Sequence, residues 1–201
     1  MHNQQKLDVK NTRVPFDKTY KLIDLEAVPH QRPSWDEIFI SMCHLIASKS
    51  HDPRTKIGSV IVAKDNAIQA VGYNGFPRGI SSRPEILESP EKYKWMSHAE
   101  ENAIANSSRN GTSIIDSTIY VNLMPCNACA RTIIQHGIGE VVVHKTSQQI
   151  YEKSSGKDGS YWDESFLCTK EMFAESGLKL RQVEYAPRSL ALFFNGQNFT
   201  I

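Results

Sequence analysis

Two periodicities of apolar residues divide this chain into elements. Behind Pro33, Ser34 and Glu37 form the Ser-x-x-Glu pattern of a helix N-terminus. Ile38, Met42, Leu45 and Ile46 then recur at helical spacing, so a first helix is expected over 34–50. Gly58-Ser-Val-Ile-Val-Ala reads as a buried strand; Asp65-Asn66 supplies a tight turn and residues 67–73 return as a second strand, giving a hairpin. A helical pattern over 98–108 precedes a strand over 117–123. A helix over 126–136 is ended by Gly137, and a fourth strand covers 140–144. A helix near 161–176, capped by Gly177, and a last strand over 178–184 complete the pattern. Residues 74–96 and 146–160 are polar and read as loops.

From the third strand onward helices alternate with strands, which implies parallel pairing. The expected fold is α/β: a single three-layer domain over 34–185, with a mixed five-stranded sheet and helices on both faces. Residues 1–33 are polar and aperiodic and read as an arm docked by Phe16, Tyr20, Leu22 and Leu25; residues 186–201 read as a tail.

Composition narrows the function. The 201 residues carry a net charge of +1, so no global positive field advertises a nucleic-acid partner. No apolar run approaches the ~20 residues of a membrane span. The opening MHNQQKLDVKNTR lacks the apolar core of a secretory signal, so the cytoplasm is the expected compartment. Four cysteines (43, 126, 129 and 168), two of them in a Cys-x-x-Cys pair, then point to metal or redox chemistry rather than disulfides.

Two segments concentrate the chemistry: Ser97-His98-Ala99-Glu100-Glu101 and Met124-Pro125-Cys126-Asn127-Ala128-Cys129, each at the start of an expected helix. His98, Cys126 and Cys129 make a one-nitrogen, two-sulfur set that suits Zn²⁺ and leaves a tetrahedral ion one open position. Partial positive charge at a helix N-terminus favours the thiolate that binds metal. Taken alone, each half has a plainer reading. A Cys-x-x-Cys also suits a redox pair or a structural zinc site with a fourth ligand from Cys43, Cys168 or His144, and a His at a helix start also suits a cap. Together they match the His-x-Glu and Pro-Cys-x-x-Cys signature of zinc deaminases. Glu100 is then a carboxylate near the metal without being its ligand, and Glu101 a structural or solvated neighbour.

The span from Ser34 to about Glu184 resembles the deoxycytidylate (dCMP) deaminase family of the cytidine deaminase superfamily. Besides the zinc motif, Asp52-Pro53-Arg54-Thr55-Lys56-Ile57-Gly58, Gly72-Tyr73-Asn74-Gly75-Phe76-Pro77 and His98–Ile104 carry the likeness. The resemblance implies zinc-dependent hydrolytic deamination of dCMP to dUMP with release of ammonia, feeding dTMP synthesis. In it, Glu100 takes the water's proton and passes it to ring nitrogen N3 while hydroxide attacks C4, and the same carboxyl then protonates the departing amine. It also implies that Asn74 meets the sugar hydroxyl, the Ala99 amide the base carbonyl, and the main chain at Met124 and Pro125 the exocyclic amine. Arg54 and Lys56, on the loop entering the first strand, are the expected phosphate contacts.

Many relatives carry a second, structural zinc bound by Cys and His residues before the catalytic His. Residues 76–97 contain neither, so one zinc per chain is expected, with Cys43 and Cys168 as buried apolar residues. The resemblance further implies a homo-oligomer, built from dimers up to a hexamer. A regulatory dCTP or dTTP, with Mg²⁺, would sit near Tyr73 and Gly75. Two rivals remain at this stage. One is a deaminase of the same superfamily acting on tRNA adenosine or single-stranded DNA cytosine, which the near-neutral charge disfavours. The other is a zinc-stapled binding module without activity, which has no use for Glu100.

Overall fold

The computed structural model describes residues 33–154, 161–184, 191–194 and 197–200. The expected arm, with its docking residues, lies outside the described residues. Helix α1 spans Trp35–Ala47, and both halves of its capping box form: Ser34 N donates to Glu37 at 2.7 Å and Glu37 N to Ser34 Oγ at 3.2 Å. Strand β1, Gly58–Val62, is buried throughout and pairs antiparallel with β2, Ile68–Tyr73. In the turn between them Asn66 takes φ +68°, a conformation that asparagine tolerates better than most residues.

The segment 74–96, expected as a loop, carries a 3₁₀ turn at Pro84–Ile86 and the short helix α2, Lys92–Trp95. Helix α3, Ala99–Arg109, leads to β3, Thr118–Val121; helix α4, Asn127–Gln135, leads to β4, Glu140–His144. The expectation of a loop over 146–160 is corrected, because helix α5 covers Lys145–Ser154 directly after β4. Its sequence is polar, yet Gln148 is buried and accepts a hydrogen bond from Met124 N at 3.2 Å. Tertiary contact rather than apolar periodicity accounts for this helix. Helix α6, Tyr161–Ser176, and β5, Lys179–Val183, follow. Gly137 and Gly177 both take positive φ behind their helices, as expected of C-terminal caps. The expected tail contains an antiparallel pair, β6 at Ala191–Phe194 and β7 at Gln197–Thr200.

The five-stranded sheet has the order β2-β1-β3-β4-β5. β1 and β3 are antiparallel, while β3, β4 and β5 are parallel. This is the expected mixed sheet, and its two faces carry separate cores. On one, Phe39, Ile40 and Cys43 of α1 pack on Val60, Val62, Tyr120 and Val142. On the other, Ala103 and Ile104 of α3, Ala130 and Ile133 of α4, and Phe166 and Phe173 of α6 pack on Ile61, Ile119, Val121, Val141 and Val143. Burial of these side chains stabilises the layers by ~1.5–3 kcal/mol for each of the larger ones. Among the described residues no helix is long and apolar enough to cross a membrane.

One contact in this packing fixes the helix that bears the chemistry. A Cβ placed on Gly72 of β2 would lie 2.3 Å from both Ala103 N and Ala99 O of α3. The obstruction is backbone, so no side chain can swing away. Gly72→Ala is therefore expected to cost on the order of 3 kcal/mol, the upper part of the usual overpacking range. In a domain of this size that lowers Tm by about 6–12 °C, read by thermal melting. An unchanged Tm would show that α3 sits farther from the strand.

Candidate active site

The two signature segments fold as helix starts at the carboxyl ends of β2 and β3, where α/β sheets commonly place ligands. His98 is the N-cap of α3, with extended backbone at φ −76° and ψ 162°; Cys126 is the N-cap of α4, at φ −73° and ψ 169°. An N-cap side chain projects from the helix mouth instead of along its flank, so both residues aim into the same space. Nδ1 of His98 lies 3.4 Å from Cys126 Sγ and 3.3 Å from Cys129 Sγ, and all three donor atoms fall within 4.8 Å of one another. A tetrahedral zinc with bonds of about 2.0 Å to nitrogen and 2.3 Å to sulfur spaces such donors about 3.5 Å apart, so this trio fits the ion. Among the described residues no further His, Cys, Asp or Glu joins the cluster. Cys43 is buried against the opposite face of the sheet, as expected, while Cys168 is half-buried rather than buried.

Each ligand is held from behind. Glu101 accepts the His98 amide at 2.9 Å, closing the first turn of α3, which gives it a structural role. Asn102 and Asn106 of α3 donate to the carbonyls of Tyr73 and Val71 on edge strand β2. Behind the cysteines, Thr169 of α6 donates to Pro125 O at 3.0 Å and Ser165 accepts from Asn127 N at 2.9 Å. Both of these α6 side chains are buried.

The three donor groups shift one another's proton affinities. The hydrogen bond from Cys129 pulls the Cys126 thiol down to about 4, and burial only partly opposes it. The Cys126 contact raises His98 to about 9, and the same contact together with burial pushes the Cys129 thiol up. A divalent ion takes the place of those protons, with more charge. Glu100, 4% exposed at the second position of α3, belongs to no ligand set. Burial pushes its carboxyl up to about 7, and the positive His98 partly restrains the rise.

A cleft of about 110 Å³, open to solvent at its mouth, lies over His98, Cys126 and Glu100. Its lining includes polar side chains, Asp52, Thr55, Asn74 and Lys92, and aromatic ones, Tyr93, Tyr151, Trp162 and Phe166. Trp162 sits 6.1 Å from the His98 ring and 5.8 Å from Tyr93, ring centre to ring centre. Sequence pattern alone does not bring these aromatic residues together, because they stand on α2, α5 and α6, and the first two fall in segments expected as loops. Their signal is the spacing Trp162–Phe166, one helical turn apart.

The residues expected by resemblance divide. Asn74, Ala99 and Met124 line the cleft. Ala99 heads α3, where an α-helix leaves its amides without intrahelical partners, so its N–H is available. Pro125 O already accepts from Thr169, so of the two main-chain acceptors the Met124 carbonyl is the less committed. Arg54 and Lys56 do not line the cleft. Lys56 Nζ donates to Ser50 O at 2.8 Å, just beyond the end of α1, where a cation also meets the helix dipole. Arg54 is exposed on the loop between Asp52 and Thr55. Gly75 exchanges backbone hydrogen bonds with Ser97 at 2.9 and 3.0 Å, tying the Tyr73–Gly75 segment to the residue before His98.

Comparison with known proteins bears on this arrangement. The profile described as the cytidine and deoxycytidylate deaminase zinc-binding region matches residues 33–145. Human deoxycytidylate deaminase is 41% identical over 114 residues, covering 54% of this chain and 63% of the human protein, so the chain spans under two thirds of that relative's length. A probable deoxycytidylate deaminase of Caenorhabditis elegans is 37% identical over 145 residues, 68% of each chain. The dCMP deaminase of cyanophage S-TIM5, solved with dCMP and dUMP, shares the fold at a TM-score of 0.57 and 21% identity, over 77% of this chain and all of that one. The profile match covers more than half of the residues and takes in both helix starts that carry the trio: this chain belongs to the cytidine and deoxycytidylate deaminase family.

Proposed function

We propose that this protein deaminates dCMP hydrolytically, water entering at C4 of the cytosine ring and ammonia leaving, to give dUMP. The observation that carries the reading is the buried, non-ligating carboxyl of Glu100 beside the His98–Cys126–Cys129 trio at the floor of the cleft. That the relatives above are named deoxycytidylate deaminases supports the choice of substrate.

His98, Cys126 and Cys129 would hold one zinc, which when bound lowers the pKa of water to about 7 and so makes a nucleophile at neutral pH. Glu100 takes one proton of the attacking water on a carboxylate oxygen and delivers it to ring N3, then takes the second from the new C4 hydroxyl and gives it to the amine, which leaves as ammonia as the C4 carbonyl forms. Burial, which pushes the Glu100 carboxyl up from its usual range, favours its taking a proton and suits a group that must take protons and return them. The Ala99 N–H holds the base carbonyl and the Met124 carbonyl receives the exocyclic amine, which together orient C4 toward the metal. Asn74 meets the sugar hydroxyl. Trp162 and its aromatic neighbours cover the base and exclude water from the proton's path. Lys56 is committed to the end of α1, which leaves exposed Arg54 as the cation proposed for the phosphate.

Ammonia release measured across cytidine, deoxycytidine, dCMP and dCTP tests the reading. dCMP is expected to be preferred over deoxycytidine, and Arg54→Ala to lower kcat/KM on dCMP about 30–150-fold, the equivalent of one charge-assisted contact of about 2–3 kcal/mol. The slow rate on deoxycytidine should barely change. Turnover of single-stranded DNA or tRNA without turnover of any mononucleotide would replace this reading with the polynucleotide one.

A further inference from the structure

The proposed chemistry makes no use of the ion pair in the cleft wall. Lys92 is 3% exposed and Asp52 5%, and Lys92 Nζ reaches both carboxylate oxygens of Asp52, at 2.7 and 3.0 Å. Among the described residues no other ion pair has both side chains buried. Desolvating two charges costs about as much as their attraction returns, so stability alone gives little reason for such a pair; geometry gives more.

The geometry leads to Asn74. Asp52 Oδ1 also accepts the amides of Arg54 at 2.8 Å and Thr55 at 3.0 Å, folding residues 52–55 into a tight turn. The end of that turn grips Asn74: Ile57 N donates to Asn74 Oδ1 at 2.8 Å, and Asn74 Nδ2 donates to Thr55 O at 2.9 Å. An asparagine side chain has two N–H groups and an oxygen with two lone pairs, so one N–H and one lone pair remain for a ligand in the cleft that Asn74 lines. Their direction is dictated by the turn, the turn by Asp52, and Asp52 by an ammonium from α2, six residues before His98.

We propose that Lys92 is a positioning residue for the sugar subsite, aiming the Asn74 amide at the sugar hydroxyl through Asp52 and the turn it nucleates. The inference rests on the reading of the cleft as a dCMP site.

The test compares dCMP with 2′,3′-dideoxy-CMP, which lacks the 3′-hydroxyl, in the zinc-loaded enzyme. Wild type should favour dCMP by about tenfold or more, the value of one well-formed hydrogen bond. Lys92→Met should abolish most of that preference, lowering kcat/KM on dCMP about tenfold, mainly through KM, and changing the dideoxy substrate less than about threefold. Asn74→Ala should erase the same preference, and Lys92→Met added to it should change nothing further, the non-additivity of groups that act in series. Lys92→Met alone strands a buried carboxylate, so Asp52→Asn/Lys92→Met, which removes both charges, is measured beside it and should show the same substrate split. An equal loss on both substrates, an additive loss with Asn74→Ala, or failure of both variants to melt cooperatively would overturn the proposal. Wild type inactive on dCMP would instead overturn the substrate reading on which it rests.

Discussion

Glu100→Gln is expected to leave the fold, the cleft and the zinc in place while lowering kcat on dCMP by about 10²–10⁴-fold, the usual contribution of general acid–base catalysis. The substitution keeps the shape of the side chain and removes only its ability to take and return a proton. Glu100 is nearly without solvent contact, and burial is the largest of the influences that push its carboxyl up from the usual range. Burying an ionisable group is unfavourable for folding, so the variant should melt at the same temperature as wild type or slightly higher. Ammonia release at saturating dCMP, metal analysis and a thermal melt on one preparation decide the matter. Loss of zinc in the variant would make Glu100 a ligand and leave the proposed proton path without a carrier.

The parts of this site that are legible in the sequence are those whose cause is local. His98 and Cys126 stand at helix starts because each is followed by a helix-forming run. The N-cap position then sets the direction of its side chain before any tertiary contact is made. The capping box at Ser34 and the glycine stops at 137 and 177 are equally local, and each appears where the residue type calls for it. The parallel half of the sheet follows from the alternation of helices and strands, since a parallel pair requires a crossover.

What escaped the sequence depends on partners far along the chain. Lys92 and Asp52 are 40 residues apart, and neither is distinctive alone. Arg54 and Lys56 look equivalent as cations on one loop; only the carbonyls of Ser48 and Ser50 beyond α1 separate them, by taking the Lys56 ammonium. Helix α5 lacks an apolar stripe because its inward face is occupied in part by Gln148, bonded to the backbone of Met124. The β6–β7 pair is a different kind of miss. Asn195-Gly196 between Phe194 and Gln197 is a strong short hairpin signal, and the expectation of a tail passes over it.

Cys126→Ser is expected to produce the other large effect, because it removes one of the three proposed ligands of the metal. Wild type should contain about one zinc equivalent per chain, and the variant little or none, with turnover lost. The stoichiometry follows from the single His98–Cys126–Cys129 cluster among the described residues and from the absence of Cys and His between 76 and 97. Stability should change as well. An ion that binds only the folded chain stabilises it by RT ln(1 + [L]/Kd), about 4 kcal/mol when free metal exceeds Kd a thousandfold. For a domain of this size that corresponds to a fall in Tm of about 8–16 °C when wild type is stripped by a chelator. The variant should melt near the stripped wild type and be insensitive to added zinc, whereas stripped wild type should recover. The loss should propagate along a definite path. Cys126 and Cys129 of the α4 start both contact His98 at the start of α3, so without Cys126 the two helix starts keep only one of these two contacts. Two zinc equivalents in wild type, or a full equivalent retained by Cys126→Ser, would mean that the ion sits elsewhere and would remove the basis of the one-zinc assignment.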